Sequence, residues 1–186
     1  AESWPQGAFS LGTALGGKRA GIFGLGRIGK AIARRLSVCG MEIGYHGRSR
    51  QPSEPYEFFP TLNALADWAD FLIISCPGGD DTKHAVNAEV LRLLGRQGTL
   101  INIARGSIVD EAALIDALQS GTIKTAGLDV FEHEPHVPAE LMKLGNVVLL
   151  PHIGSGTNET RQAMADLVLR NLAAHFSGGD LVTPVI

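Results

Sequence analysis

Short continuous apolar runs alternate along this chain with stretches whose apolar positions recur at helical spacing. Arg19 to Phe23 reads as a strand, and Arg27 to Cys39 as a helix with Ile28, Ile32, Leu36 and Cys39 along one face. Glu42 to His46 reads as a second strand. Gly47 to Pro60 is a loop rich in Pro, Ser and charge, within which Tyr56 to Phe59 could form a short extra strand. Thr61 to Ala69 predicts a short helix capped by Thr61, followed by the buried strand Phe71 to Ser75. Asn87 to Leu94 predicts another helix, with Gly95 as its stop. A strand around Leu100 comes next, then a helix from Asp110 to Gln119 with Asp110 as N-cap. Strands near Ala126 and Val148 complete the set, and a long amphipathic helix runs from about Asn158 to Phe176. Alternating βα units whose strands are apolar throughout predict an α/β fold with a doubly wound parallel sheet, of Rossmann type.

Composition narrows the partners. The 186 residues suit one substantial domain and little more, and 45% hydrophobic with 19% charged residues provides for a real core. A formal charge of −3 carries no basic excess, so nucleic acid is not expected as a partner. No apolar run approaches the roughly 18 residues of a membrane span, and no charged-then-apolar leader is read. Cys39 and Cys76 make neither a disulfide framework nor a metal motif; two small buried residues in a reducing cytoplasm is the plainer reading. No metal is expected.

Gly24-Leu25-Gly26-Arg27-Ile28-Gly29 is a G-x-G-x-x-G between the first strand and the first helix, the context in which that pattern signals dinucleotide binding. Gly24 permits the tight turn, Gly26 lets the backbone approach a pyrophosphate, and Gly29 allows close helix–strand packing. Leu25, Gly26, Arg27 and Ile28 are therefore candidate cofactor contacts, with the free N–H groups around Arg27 and Ile28 facing the phosphates. An NAD enzyme places Asp or Glu at the end of the second strand to hold the ribose hydroxyls. This chain has His46-Gly47-Arg48-Ser49-Arg50 there and no acid until Glu54. Guanidinium groups and a hydroxyl suit a 2′-phosphate, so Arg48, Ser49 and Arg50 predict NADPH/NADP in preference to NAD.

Three polar residues sit at the ends of apolar strands or just beyond. Arg105 follows Thr99 to Ala104, Glu134 follows Gly127 to Phe131 and precedes Pro135, and His152 follows Asn146 to Pro151. Ligands of a doubly wound sheet lie outside the carboxyl ends of its strands, where Arg105, Asp129 and His152 all fall. A cation, a carboxylate and an imidazole gathered there could protonate a carbonyl while holding a nearby anion. The other histidines, His46, His84, His133, His136 and His175, read as structural.

Four motifs in order carry a family resemblance. Gly24 to Gly29, Asn102-Ile103-Ala104-Arg105-Gly106, Leu128-Asp129-Val130-Phe131-Glu132-His133-Glu134-Pro135 and Pro151-His152-Ile153-Gly154 resemble the D-isomer-specific 2-hydroxyacid dehydrogenases. The Gly47-Arg48-Ser49 segment and the ending from His175 to Val185 resemble most the NADPH-dependent hydroxypyruvate, glyoxylate and hydroxyphenylpyruvate reductases. The resemblance implies that His152 protonates the carbonyl oxygen as hydride arrives, and that Glu134 pairs with it and favours the imidazolium. It implies that Arg105 binds the 2-oxoacid carboxylate and polarises the carbonyl. Asp129 would meet the nicotinamide carboxamide, while Ile103 and Cys76-Pro77 would line the cofactor path. Gly78-Gly79-Asp80-Asp81 departs from the apolar residue and Thr-Pro of many relatives.

The same resemblance sets expectations for the chain's extent. Trp4-Pro5 resembles the stretch just before the family's nucleotide domain, so the substrate domain is expected to be largely absent. Residues 1–157 would form the NAD(P)-binding domain with its N-terminal linker. Residues 158–186 would be a C-terminal helix and tail returning towards the substrate domain. A cytoplasmic homodimer is implied when full length, with a small 2-oxoacid as partner. The competing reading is a nucleotide-sensing, non-catalytic module of the corepressor type, in which the same three side chains are retained.

Overall fold

The structure is a computed structural model that describes residues 12–184; Trp4-Pro5 and Val185 lie outside them. The chain divides into two compact units, Ala1–Leu150 and Pro151–Ile186.

The first unit is built on seven parallel strands: β1 (Arg19–Phe23), β2 (Glu42–His46), β3 (Glu57–Phe58), β4 (Phe71–Ile74), β5 (Thr99–Asn102), β6 (Thr125–Leu128) and β7 (Val147–Leu149). Their order in the sheet is β3-β2-β1-β4-β5-β6-β7. Helices α1 (Arg27–Val38), α2 (Leu62–Trp68), α3 (Ala88–Leu94), α4 (Glu111–Gln119) and the short α5 (Ala139–Met142) connect them. Alternation along the strands feeds two cores. Ala20, Ile22, Ile43, Tyr45 and Ile73 point to one, with Ala33 of α1. Phe23, Leu72, Ile74 and Leu100 point to the other, against Leu65, Leu91 and Leu114 of α2, α3 and α4. A sheet buried on both faces needs apolar residues at successive positions, which is why its strands read as continuous runs.

Helix starts fall where the caps require. The side-chain oxygens of Thr61, Asn87 and Asp110 accept backbone N–H groups of the first turns of α2, α3 and α4. Gly95 ends α3 at φ 75. The boundaries shift by a residue in places: α1 stops at Val38 with Cys39 as its cap, and β4 ends at Ile74. The extra strand is reduced to Glu57–Phe58. The 3₁₀ turns at Asp80–Thr82 and Gly106–Ile108, and α5, are too short for any periodicity to announce.

In the second unit, α6 (Asn158–Phe176) begins at a cap, Thr157 Oγ1 accepting the Thr160 N–H. Asn171 exchanges hydrogen bonds with Thr183, folding the tail back along the helix. Met164, Val168 and Leu172 form an exposed stripe at i, i+4 spacing. Among the described residues no helix is long and apolar enough to cross a membrane.

Candidate active site

The sheet order reverses direction between β1 and β4, which places a crevice at their carboxyl ends. The glycine turn after β1 forms its near wall. Gly24 has φ 101, and a Cβ there would lie 2.6 Å from the Cys76 backbone, so neither the conformation nor the space admits a side chain. A Cβ on Gly29 would lie 2.2 Å from the Gly24 carbonyl oxygen and 3.0 Å from Ser75 Oγ. Gly29 therefore lets α1 close on the turn as well as on the end of β4. The Ser75 hydroxyl fastens the same turn by donating to the Gly24 carbonyl at 2.8 Å.

Gly26 differs from its neighbours. It caps α1 with no side-chain hydrogen bond, and a Cβ there would meet nothing within 4 Å. The first N–H groups of α1, from Arg27 onward, have no partner within the helix, and the positive end of the helix dipole lies at this start. Leu25 is buried, while Arg27 and Ile28 are exposed. Such a start is suited to an anion.

Beside it lies a cleft of about 320 Å³ lined by Ile28, Cys76, Pro77, Gly78, Ile103 and Arg105 among others. Four of the candidate site residues, Ile28, Cys76, Ile103 and Arg105, therefore share one space. Burial pushes the Cys76 thiol up to about 11, with a backbone hydrogen bond opposing, so it stays a neutral wall rather than a nucleophile at pH 7. Arg48, Ser49 and Arg50 are exposed at the carboxyl end of β2, next to the strand that carries the glycine turn.

Arg105 is held from below. Asn102, 1% exposed at the end of β5, donates from Nδ2 to the Arg105 carbonyl at 2.9 Å and accepts the Ala104 N–H at 3.0 Å. The Arg105 guanidinium donates to the Ala104 carbonyl, and among the described residues no carboxylate pairs with it. Gly78 is what lets the loop after β4 cross this side chain: a Cβ there would lie 2.9 Å from Arg105 Cγ. Gly106 lies against the next loop, where a Cβ would stand 1.9 Å from the Phe131 carbonyl carbon. The sequence reading assigned neither contact.

That next loop follows β6. Asp129 is 5% exposed and donates its N–H to the Asn102 carbonyl. Glu134 is exposed at the surface of the loop, and its Oε1 accepts the Phe131 N–H at 3.0 Å, closing a tight bend. A second carboxylate steadies the loop: Glu132 Oε1 meets His84 Nε2 at 2.7 Å, and the Glu132 N–H donates to Glu111 Oε1. Burial pushes the Glu111 carboxyl up; that N–H bond opposes the shift, and the Glu132 charge adds to it. His84 adopts φ 50, a left-handed conformation uncommon for a non-glycine residue, in a segment whose N–H donates to the Ser107 carbonyl. The histidine read as structural thus spans from the β4 loop to the β6 loop.

His152 belongs to the second unit, in the segment that precedes α6. It is exposed, with φ 52, and is followed by a turn closed by the Gly156 N–H on the Ile153 carbonyl at 2.8 Å. A left-handed histidine is a local cost that the surrounding turn must hold.

Sequence reasoning missed Asn102, His84, Glu132 and Glu111 as builders of these loops. Asn102 left a signal, being a polar residue inside an otherwise apolar strand. The others act through partners far away in sequence and left none.

A parallel sheet with a glycine turn entering an uncapped helix at its switch point defines a dinucleotide-binding domain. Residues 1–154 match the family described as D-isomer specific 2-hydroxyacid dehydrogenase, NAD binding domain, and the chain belongs to that family. It is 54% identical over 183 residues to a glyoxylate/hydroxypyruvate reductase A of Arabidopsis thaliana, covering 98% of this chain and 58% of that protein. It is 52% identical over 184 residues to a hydroxyphenylpyruvate reductase of Plectranthus scutellarioides, covering 99% and 59%. Among solved structures, an NADPH-dependent glyoxylate/hydroxypyruvate reductase of Sinorhizobium meliloti, in complex with NADP and malonate, superposes with a TM-score of 0.94. It is 53% identical to this chain, and the match covers 98% of the chain and 58% of that structure. The chain thus spans somewhat more than half the length of the relatives it matches.

Proposed function

We propose that this chain is the cofactor-binding part of an NADPH-dependent reductase that converts a small 2-oxoacid, of the glyoxylate or hydroxypyruvate type, to its D-2-hydroxyacid. The observation that carries the reading is the cleft that joins Ile28 at the start of α1 to Cys76, Ile103 and an Arg105 paired with no carboxylate among the described residues. A dinucleotide with its pyrophosphate at Gly26, Arg27 and Ile28 reaches this cleft with its nicotinamide, and Asp129 stands ready for the carboxamide. Arg48, Ser49 and Arg50 hold the 2′-phosphate; the solved relative with NADP bound supports NADPH over NADH. Arg105 anchors the substrate carboxylate and stabilises charge developing on the carbonyl oxygen, where a preorganised cation is most effective. His152 supplies the proton, with Glu134 as the third member of the catalytic set.

Residues 1–157 serve in this reading as the NAD(P)-binding domain and residues 158–186 as the helix and tail that return to a substrate domain. The exposed apolar stripe on α6 suits that role. A homodimer when full length and residence in the cytoplasm belong to the same proposal. Of the two cysteines read as buried, Cys76 is buried and Cys39 is exposed. The corepressor-type reading draws no support from the relatives described above, which are named as reductases.

The test is NADPH oxidation by the full-length protein with a panel of 2-oxoacids. Turnover with glyoxylate or hydroxypyruvate is the expected result. Tight NADPH binding with no oxidation on any 2-oxoacid would refute the reductase and favour the non-catalytic module.

A further inference from the structure

The loop that follows β2 carries the candidate 2′-phosphate contacts, yet Arg48, Ser49 and Arg50 themselves make no hydrogen bond or ion pair within the described residues. Long, exposed cationic side chains on a free loop bind a phosphate poorly, because each must be ordered at the moment of binding. The structure holds the loop by what comes next. Gln51 donates from Nε2 to the Leu25 carbonyl at 2.8 Å, inside the glycine turn itself. Its backbone N–H donates at 2.7 Å to the hydroxyl of Tyr45, a side chain 1% exposed within the core on the α1 face. Residues 51–54 then form a turn, with the Glu54 N–H on the Gln51 carbonyl. The far end of that turn is tied to α1 by an ion pair of 2.8 Å between Glu54 and Lys30 Nζ.

Two consequences follow for one ligand. Gln51 links the basic loop to the turn that faces the pyrophosphate, so the two phosphate-binding elements keep a fixed spacing. Lys30 neutralises Glu54, the nearest carboxylate along the chain after the second strand, which would otherwise repel a 2′-phosphate or compete for a ribose hydroxyl. We propose that Gln51, with Tyr45 and the Lys30–Glu54 pair, is a specificity-determining positioning residue that presets the loop for a 2′-phosphorylated dinucleotide. This rests on the NADPH reading above and names residues outside the phosphate contacts themselves.

The experiment is a fluorescence titration of NADPH and NADH, in parallel, into the full-length protein and its Gln51→Leu variant. Leu keeps the volume and removes the donor. The expected result is an NADPH affinity about tenfold weaker with NADH affinity changed less than about twofold. NADH shares every contact except the 2′-phosphate, so it reports any damage to the glycine turn. A parallel loss of both affinities would mean that Gln51 merely supports the fold, and unchanged affinities would mean that it does nothing; either overturns the proposal. A parent protein with equal affinities would overturn the cofactor reading, and this inference with it. A parent that prefers NADPH while Gln51→Leu keeps the preference overturns this inference alone. In a second arm, Lys30→Met should weaken NADPH about threefold and Glu54→Gln added to it should restore the affinity, as expected if the freed carboxylate is the cause. Failure of the restoration would reject the role given to the ion pair.

Discussion

The half of the site proposed to face the dinucleotide and the half proposed to be reactive are held in different ways. Around Gly24–Ile28 backbone conformation leads, with a glycine at φ 101, an open Gly26 and a helix start, and the Ser75 and Gln51 side chains fasten the turn's carbonyls. Around Arg105 and Glu134 the fixing groups are side chains, Asn102 acting locally beneath Arg105, and His84, Glu111 and Glu132 reaching across the fold around the bend of Glu134. Side-chain scaffolds fail one partner at a time. The difference implies that cofactor affinity and turnover can be separated by mutation.

The largest separation is expected at His152. In the full-length protein, His152→Ala should lower kcat about a hundredfold or more, the scale of losing a positioned general acid, with NADPH affinity almost unchanged. Steady-state kinetics beside a cofactor titration checks it, and comparable activity of variant and parent rejects the role. A smaller effect is expected one layer out. Glu132→Ala removes the partner of His84 Nε2 and frees the bend that carries Glu134. It should lower kcat about tenfold, because small misplacements of catalytic groups are costly, and leave NADPH binding intact. Equal losses in kcat and NADPH affinity would show that the β6 loop supports both halves and would erase the distinction.

The smallest effect belongs outside the site. Asn87 caps α3 through two N–H groups, so Asn87→Ala should cost about 1 kcal/mol in thermal or denaturant unfolding. Activity per folded molecule should not move. A change in kcat would show that α3 communicates with the β4 loop.

This contrast also explains what the sequence disclosed. The strands were readable because burial on both faces forces continuous apolar runs, and β1 and β2 fall on the residues those runs marked. Asn87, read as the first residue of its helix, is its cap, whereas Thr61 and Asp110 announced their helices because a cap is a local, three-residue interaction. The glycine turn was readable for the same reason. Gln51 was not, since its partner Leu25 lies 26 positions away and an amide in a polar loop resembles any other. His84 was set aside as structural, and nothing near it in sequence pointed to Glu132, 48 positions on. Asn102 stood in plain view inside an apolar strand, a polar group that burial obliges to find partners. Gly78 and Gly106 are legible only once the loops that cross them are in place.

Arg105 stands where the two halves meet, lining the cleft beside Ile28, Cys76 and Ile103 while its backbone hangs from Asn102. The most direct test is therefore NADPH titration and 2-oxoacid reduction measured side by side on the full-length Arg105→Ala variant. The expected result is an NADPH affinity within about twofold of the parent, with turnover on glyoxylate or hydroxypyruvate lower by about a hundredfold or more. Turnover that survives the substitution, or cofactor affinity that falls in step with it, would contradict a cofactor site and a reactive site built separately on one sheet edge.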